Sequence, residues 1–378
     1  MRLLCVFAFM SMNGIELLKV ETTDLREELF LFLSKQVGKL SRDLNRNGIG
    51  PESVSRLNIW GGVAGACCGL LQMKESSFKC PEFQEACFES LVLLRKSFSD
   101  DLYADNIGLL SGGIGVLLAA HEVSTIVFPN FDIDWIDGAS RAIFERLLER
   151  GSGHNDFGNG VAGALSGVIW LQRRLDLSEP RVVEALILAL VSRLELTESA
   201  FALRSDSNED GRPVHGLAHG SSGAAVALLE AATFFSSESI QRLAIASLAN
   251  DELGQRPRSL WPDQRENLPP EMFFKGEGTP FNSLEGLPST GYMWCHGSSG
   301  IGLTHRLFAS RLNTRQFAKG ASLIAADTEQ FLLRTNRLNS NLCVCHGLGS
   351  LLGLIYRDGN LGASSEFEQM LLPPRLSS

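Results

Sequence analysis

Apolar residues recur along this chain at spacings of three and four, which is the period of one face of an α-helix. Two stretches show the pattern clearly: SRAIFERLLER at residues 140–150 and EPRVVEALILALVSRLEL at residues 179–196, both with charges on the opposite face. The alternation that is typical of β-strands hardly occurs. The pattern therefore predicts an all-α protein, in which amphipathic outer helices cover a more apolar inner layer.

A glycine-rich phrase precedes a strongly apolar stretch six times. Glycine permits positive φ and close backbone approach, so each phrase predicts a tight loop at the start of an inner helix. The phrases recur roughly 50 to 80 residues apart, the spacing of a helix–loop–helix repeat. The leading residues are Gly62, Gly112, Gly160, Gly220, Gly297 and Gly347.

Six helix N-termini that converge in this way predict an α/α toroid, a double ring of inner and outer helices. We expect this toroid to occupy residues 58–356 as one domain. Residues 1–57 are predicted to form an N-terminal helical segment, and residues 357–378 a short C-terminal tail. The first ten residues, MRLLCVFAFM, are open to two interpretations: a short secretory segment or an irregular N-terminus.

Charge and cysteine content narrow the class of protein. The formal net charge is −9 over 378 residues, and no Lys/Arg-rich run is present, which argues against nucleic acid as a partner. The eight cysteines are few and do not form a spaced disulfide framework, so a reducing, cytoplasmic location is expected. No apolar stretch reaches the roughly 18 residues that span a bilayer, so no stable membrane insertion is predicted.

The longest irregular stretch covers residues 251–292 and is rich in proline. It is locally basic although the whole chain is acidic. A lid or substrate loop and a simple insertion are both compatible with this composition. The basic residues are Arg256, Arg258, Arg265 and Lys275.

Four of the seven histidines and two cysteines lie in or beside the glycine loops. Thiolate and imidazole are soft donors, and helix N-termini favour anionic sulfur. The pairs Cys295-His296 and Cys345-His346 supply such donors, and three ligands of this kind with an open fourth position describe a catalytic zinc site. Buried free thiols and hydrogen-bonded histidines are the alternative, but the same Cys-His pair at two equivalent repeat positions favours zinc.

His219 precedes its leading glycine just as His296 and His346 do, so the repeat directs all three toward one axis. A histidine beside a metal can serve as a general acid or base near pH 7. Asp156 lies four residues before Gly160 and can orient or charge-balance His219. A helix N-cap or loop carboxylate is the alternative interpretation of Asp156.

The phrases GLAHGSSG, WCHGSSGIGL and CHG, in that order, resemble the lanthionine synthetase C-like cyclases over about residues 58–356. The resemblance implies an α/α toroid that holds Zn²⁺ through Cys295, Cys345 and His346. It also implies that His219 and Asp156 match the acid/base residues of the family. His296 matches the residue that follows the first zinc cysteine, and with His219 and Asp156 it is a candidate catalytic residue.

The resemblance further implies addition of a peptide cysteine thiol to dehydroalanine or dehydrobutyrine, which closes a thioether (lanthionine-type) ring. The partners would be a dehydrated precursor peptide or thiol substrate and a separate dehydratase. Two alternatives stay open: glutathione addition to dehydroamino acids in proteins, and a non-catalytic zinc-binding scaffold. About twenty residues follow Tyr356, so it also stays open whether the toroid contains its last repeat.

Overall fold

The computed structural model describes residues 23–73, 80–99, 102–103, 105–197, 200–204, 214–253, 261–262, 290–291 and 293–335. Eleven α-helices account for most of these residues, and a 3₁₀ helix, Pro51–Arg56, lies between the first two. The helices are α1 Thr23–Asn47, α2 Val63–Met73, α3 Pro81–Ser99, α4 Gly113–Val127, α5 Asp134–Arg150, α6 Val161–Leu175, α7 Pro180–Val191, α8 Ser221–Phe235, α9 Glu238–Leu253, α10 Ser298–Leu312 and α11 Arg315–Thr335.

Strands are short in the described residues and form two antiparallel pairs. β1 (Leu194–Leu196) pairs with β2 (Phe201–Leu203), so that Leu194 lies opposite Leu203. β3 (Trp261–Pro262) pairs with β4 (Thr290–Gly291). These strands are additions to a helical protein.

The helices that follow glycine loops are buried on all sides over their first turns. In α4 the buried residues run without interruption from Gly113 to His121, and in α8 from Ser221 to Ala232. Helix α5 instead buries one stripe at helical spacing. Apolar inner helices and amphipathic covering helices were both predicted from the sequence, and this prediction is confirmed. The buried stripe of α5 consists of Ile136, Ser140, Ile143, Phe144 and Leu147.

A close backbone contact explains why glycine recurs in the first turn of four of these helices. Three residues after the leading glycine, a Cβ atom would lie only 1.9–2.3 Å from the carbonyl oxygen six residues earlier in the chain. Such a distance is far inside van der Waals contact, so no residue with a side chain fits. The four glycines are Gly65, Gly115, Gly223 and Gly300.

The chain divides into two compact units. In the first, which holds the described residues up to Ser152 together with Gly167–Val182, α1 packs against α3, and α4 contacts α2, α3 and α5. In the second, which holds Gly153–Ser166 and the described residues from Val183 onward, α8 packs against α9 and α10 against α11. Within the described part of the chain, no helix combines the length and the apolarity needed to cross a bilayer.

Alanine substitution tests the backbone contact in the first unit. Gly115→Ala should lower the free energy of unfolding by about 1–3 kcal/mol or more, since its Cβ would meet the Leu109 carbonyl oxygen at 1.9 Å. Gly138→Ala is the matched control, because nothing lies within 4 Å of its Cβ position inside α5. The control should be stabilised by about 0.4–1 kcal/mol. Urea unfolding of both variants measures this, and equal unfolding midpoints would contradict it.

Candidate functional site

Three glycine loops of the second unit are joined through the backbone of a single residue, Ala218. Its N–H donates a hydrogen bond to the Cys295 carbonyl oxygen at 3.3 Å. Its own carbonyl oxygen accepts the N–H groups of Phe157 and Gly158 at 2.8 and 3.3 Å. These bonds place the loops that carry Asp156, His219 and Cys295 side by side.

Glycines also let the loops approach one another. Gly216 has a φ of +126°, and a Cβ on it would lie 2.4 Å from the Cys295 carbonyl oxygen. A Cβ on Gly300 would lie 2.8 Å from the Leu217 Cβ, and one on Gly223 would lie 2.6 Å from the Phe157 Cβ. The loops are therefore in direct backbone contact, and their register relative to one another is fixed.

The candidate acid/base residue His219 is held by Asp156. Their side chains approach to 2.7 Å between His219 Nδ1 and Asp156 Oδ2, and they are 28% and 17% exposed. An ionised carboxylate only accepts hydrogen bonds, so the His219 Nδ1–H donates. Nε2 is then the ring nitrogen that can exchange a proton with a substrate.

The second carboxylate oxygen of Asp156 has a structural task. Oδ1 accepts the N–H groups of Asn159 at 2.7 Å and Gly160 at 3.1 Å. These donors belong to the two residues immediately before α6, and the Gly160 N–H also bonds to the Asp156 carbonyl oxygen at 3.1 Å. Asp156 thus combines both of the roles that the sequence left open, since one oxygen stabilises the loop and the other orients His219.

The same contacts keep Asp156 ionised. Burial alone would raise the pKa of the Asp156 carboxyl, because it disfavours the charged form. The hydrogen bond from His219 and the one from the Asn159 N–H, together with the charges of nearby histidines, outweigh burial and hold this pKa below its ordinary value. Asp156 therefore presents a full negative charge to His219 at neutral pH.

His296 lies between His219 and Cys295. The rings of His219 and His296 stack with centroids 4.7 Å apart at an interplanar angle of 24°. The Nδ1 atom of His296 is 3.0 Å from the Cys295 Sγ. Cys295 and His296 are 0% and 3% exposed. The structure thus forms a continuous polar row from Asp156 through both rings to a buried sulfur atom.

Four of the six predicted site residues meet in this row. The other two, Cys345 and His346, lie outside the described residues, as does most of the irregular stretch 251–292. Within the described residues, no three His, Cys, Asp or Glu side chains come together as potential metal ligands. The zinc ligand set therefore stays a prediction.

The stacking of the two rings was not predicted, although the repeat register carries a signal for it. His219 and His296 both immediately precede a leading glycine, so neighbouring loops in register place them side by side. The role of Ala218 has no such signal, because it acts through its backbone alone.

Most of the chain matches the model of one known protein family. The model of the family described as lanthionine synthetase C-like protein matches residues 53–362 of the chain. The chain belongs to the lanthionine synthetase C-like family. A search of curated proteins found no significant match.

A solved structure named nisin cyclase is similar to this family member, with a TM-score of 0.63 and 12% sequence identity. The match covers 97% of this chain and 89% of that chain. At this identity the likeness shows the fold alone. The predicted fold class, an all-α α/α toroid, is confirmed by it.

The lowered pKa of Asp156 predicts how its contribution to stability depends on pH. Since the folded pKa is below the unfolded value of about 3.9, stability from this group is present above about pH 5. It is lost as the pH falls through the folded pKa. The side chain of the Asp156→Asn variant does not titrate. The variant should therefore be less stable than the wild type at pH 6, and the difference between their free energies of unfolding should shrink as the pH falls from about 6 to about 3. Urea unfolding at several pH values measures the deficit, and a constant deficit would contradict the pairing.

Proposed function

We propose that this protein is a zinc-dependent cyclase that adds a cysteine thiol to dehydroalanine or dehydrobutyrine in a modified peptide. The observation that carries the proposal is the polar row in which Asp156 hydrogen-bonds His219, His219 stacks on His296, and His296 contacts the Cys295 sulfur. It places His219, a group that can carry a proton, one ring away from a buried cysteine. Membership of the lanthionine synthetase C-like family and the fold shared with nisin cyclase support the same reaction class.

The proposed substrate is a dehydrated precursor peptide. The name nisin cyclase indicates ring closure in that relative, and a ring closes when thiol and dehydro residue belong to one peptide. We propose that a separate dehydratase prepares the substrate. The side chain of His219 is 28% exposed, which supports a peptide as the substrate, since a substrate needs access to the proton carrier.

The residues present fit a zinc ion. Cys295 is fully buried, takes part in no disulfide and lies three residues before Ser298, the first residue of α10, where the helix dipole favours a thiolate. Cys345 and His346 would complete a set of two thiolates and one imidazole, which suits zinc with an open fourth position. Zinc bound there would lower the pKa of a substrate thiol, so that a thiolate forms near pH 7.

The chemical balance of the reaction needs one proton carrier. The thiolate sulfur attacks the β-carbon, a C–S bond forms, and the electron pair of the C=C bond moves toward the α-carbon and its carbonyl group. One proton then adds to the α-carbon and balances the proton that the substrate thiol released when it became a thiolate. His219 delivers this proton from Nε2, and no oxidant or reductant is needed.

Asp156 and His296 support the proton carrier. Asp156 holds the His219 ring through Nδ1 and places a negative charge beside it. His296 contacts the face of the same ring and, with Nδ1 3.0 Å from the Cys295 sulfur, limits movement of both groups. We therefore assign His296 to positioning both His219 and Cys295.

Metal analysis tests the zinc ligands. The wild-type protein, purified without added zinc, should hold about one zinc ion per chain, since two thiolates and an imidazole form a soft donor set. Cys295→Ala and Cys345→Ala should each lose most of it.

The neighbouring Cys343 supplies the matched control, because Cys343→Ser changes a thiol two residues from Cys345 and should keep the metal. Zinc near zero in the wild type, or unchanged zinc in both alanine variants, would refute the proposed ligands. Zinc lost in Cys343→Ser but kept in Cys345→Ser would shift the ligand by two residues.

His219→Asn separates proton transfer from metal binding. The variant should keep its zinc and thermal midpoint but form thioether about a hundredfold or more slowly, which is the usual contribution of a positioned acid. Zinc content, unfolding and product formation are measured on one sample. Full activity would remove His219 from the mechanism. A wild-type protein that binds zinc but acts on neither dehydrated peptides nor glutathione with dehydroamino acids would instead support a scaffold.

A further inference from the structure

The loop that carries His219 is fastened at both ends to one buried carboxylate. Asp251, near the end of α9, is 0% exposed. Its Oδ1 lies 2.8 Å from His215 Nδ1, and its Oδ2 accepts the Ser222 N–H at 2.8 Å and the Ser222 hydroxyl. His215 and Ser222 lie four residues before and three residues after His219.

Asp251, a residue of α9, caps the N-terminus of the neighbouring helix α8. Helix α8 begins after Gly220, which has no side chain with which to cap it. Its first N–H groups have no partner within the helix, and the helix dipole makes this end positive. The Asp251 carboxylate accepts one of these N–H groups, at Ser222, so its burial is compensated by hydrogen bonds and by the dipole.

The residue before Asp251 extends the same contact. Asn250 Nδ2 donates to the Ser221 hydroxyl oxygen at 3.0 Å, and this oxygen also accepts the Leu203 N–H at 3.1 Å. The Asp251 carbonyl oxygen in turn accepts the Trp261 Nε1–H at 2.5 Å. Two consecutive residues of α9 thus hold two consecutive residues at the start of α8, and all of these groups are buried.

This clamp, formed by Asp251 with His215 and Ser222, holds the two ends of the loop, while Ala218 holds its middle through backbone hydrogen bonds. Gly216 and Gly220 flank the segment that contains His219, and glycine restrains the backbone least of all residues. The 2.7 Å bond from His219 to Asp156 therefore depends on how firmly residues 215 and 222 are held.

We propose that Asp251 is a positioning residue for His219, acting through His215 and Ser222. It touches no reacting atom. The inference deepens the proposed function and rests on it for its kinetic consequences, whereas the placement of His219 can be measured without any activity.

The kinetic experiment is a double-mutant cycle. Asp251→Asn keeps the size of the side chain but replaces one acceptor oxygen by a donor, so it breaks part of the clamp. It should lower kcat about tenfold with KM and zinc content nearly unchanged, since small misplacements of a catalytic group cost rate. In the His219→Asn background the same change should lower kcat no further. An equal loss in both backgrounds would overturn the proposal.

The second measurement does not need the reaction. Diethyl pyrocarbonate modifies accessible neutral imidazoles, and mass spectrometry gives the modification rate of His219, which is 28% exposed. Asp251→Asn should raise this rate severalfold, because a loosened loop frees the ring from Asp156. If the wild type forms no thioether but this rate rises, the proposed function fails while the positioning role stands. An unchanged rate refutes the positioning role.

Two further variants guard against simple loss of folding. Ser222→Ala removes only the hydroxyl arm of the clamp and should change the His219 rate in the same direction by a smaller factor. Glu230→Gln alters another buried acid, 2% exposed and 3.5 Å from Arg311, well along α8 from the loop. It should lower the thermal midpoint without changing the His219 rate. A rate raised equally by Glu230→Gln would show general destabilisation and overturn the proposal.

Discussion

Backbone contact at the glycine loops is the constraint on which the rest of the structure depends. The loop before an inner helix folds back onto its first turn, so that a carbonyl oxygen occupies the place of a Cβ atom at Gly223 and Gly300. The same closeness lets Ala218 bond to Cys295 in the next loop. Side chains at equivalent positions of neighbouring loops are then brought together by register, and this is how His219 meets His296.

Two carboxylates in the second unit make the same kinds of hydrogen bond but have different roles. Asp156 and Asp251 each bind one histidine of the loop before α8, and each accepts N–H groups at the start of a helix. Asp156 is 17% exposed and holds a ring that is open to solvent. Asp251 is fully buried, and its pair with His215, which is also buried, stabilises the loop without contacting solvent. The buried pair His215–Asp251 lies behind the accessible pair His219–Asp156 and holds the His219 ring in a defined place, as pre-organised catalysis requires.

Features that depend on the helical period of apolar residues, or on the register of the glycine repeats, could be predicted from the sequence. Residues 140–150 form a covering helix, equivalent positions of the glycine phrases bring His219 and His296 together, and Asp156, four residues before its own leading glycine, meets His219. Helix α7, however, ends at Val191, although the helical pattern continues to Leu196. Leu194–Leu196 pairs with a strand that follows it, and period alone does not reveal such a partner. The contact between Asp251 and Ser222 joins residues 29 apart in the chain and leaves no periodic signal.

The surroundings of each histidine, more than its presence, decide what it can do. His305 is buried in α10, and burial lowers its pKa to about 4 in spite of the attraction of Asp251, so it is neutral at pH 7. His219 has the opposite setting, with partial exposure and a carboxylate that stays ionised beside Nδ1. Only a ring of the second kind is both accessible to a substrate and held by an ionised partner. The glycine loops produce this difference, because they bring Asp156 into contact with His219, whereas His305 lies outside the loops in the buried part of α10.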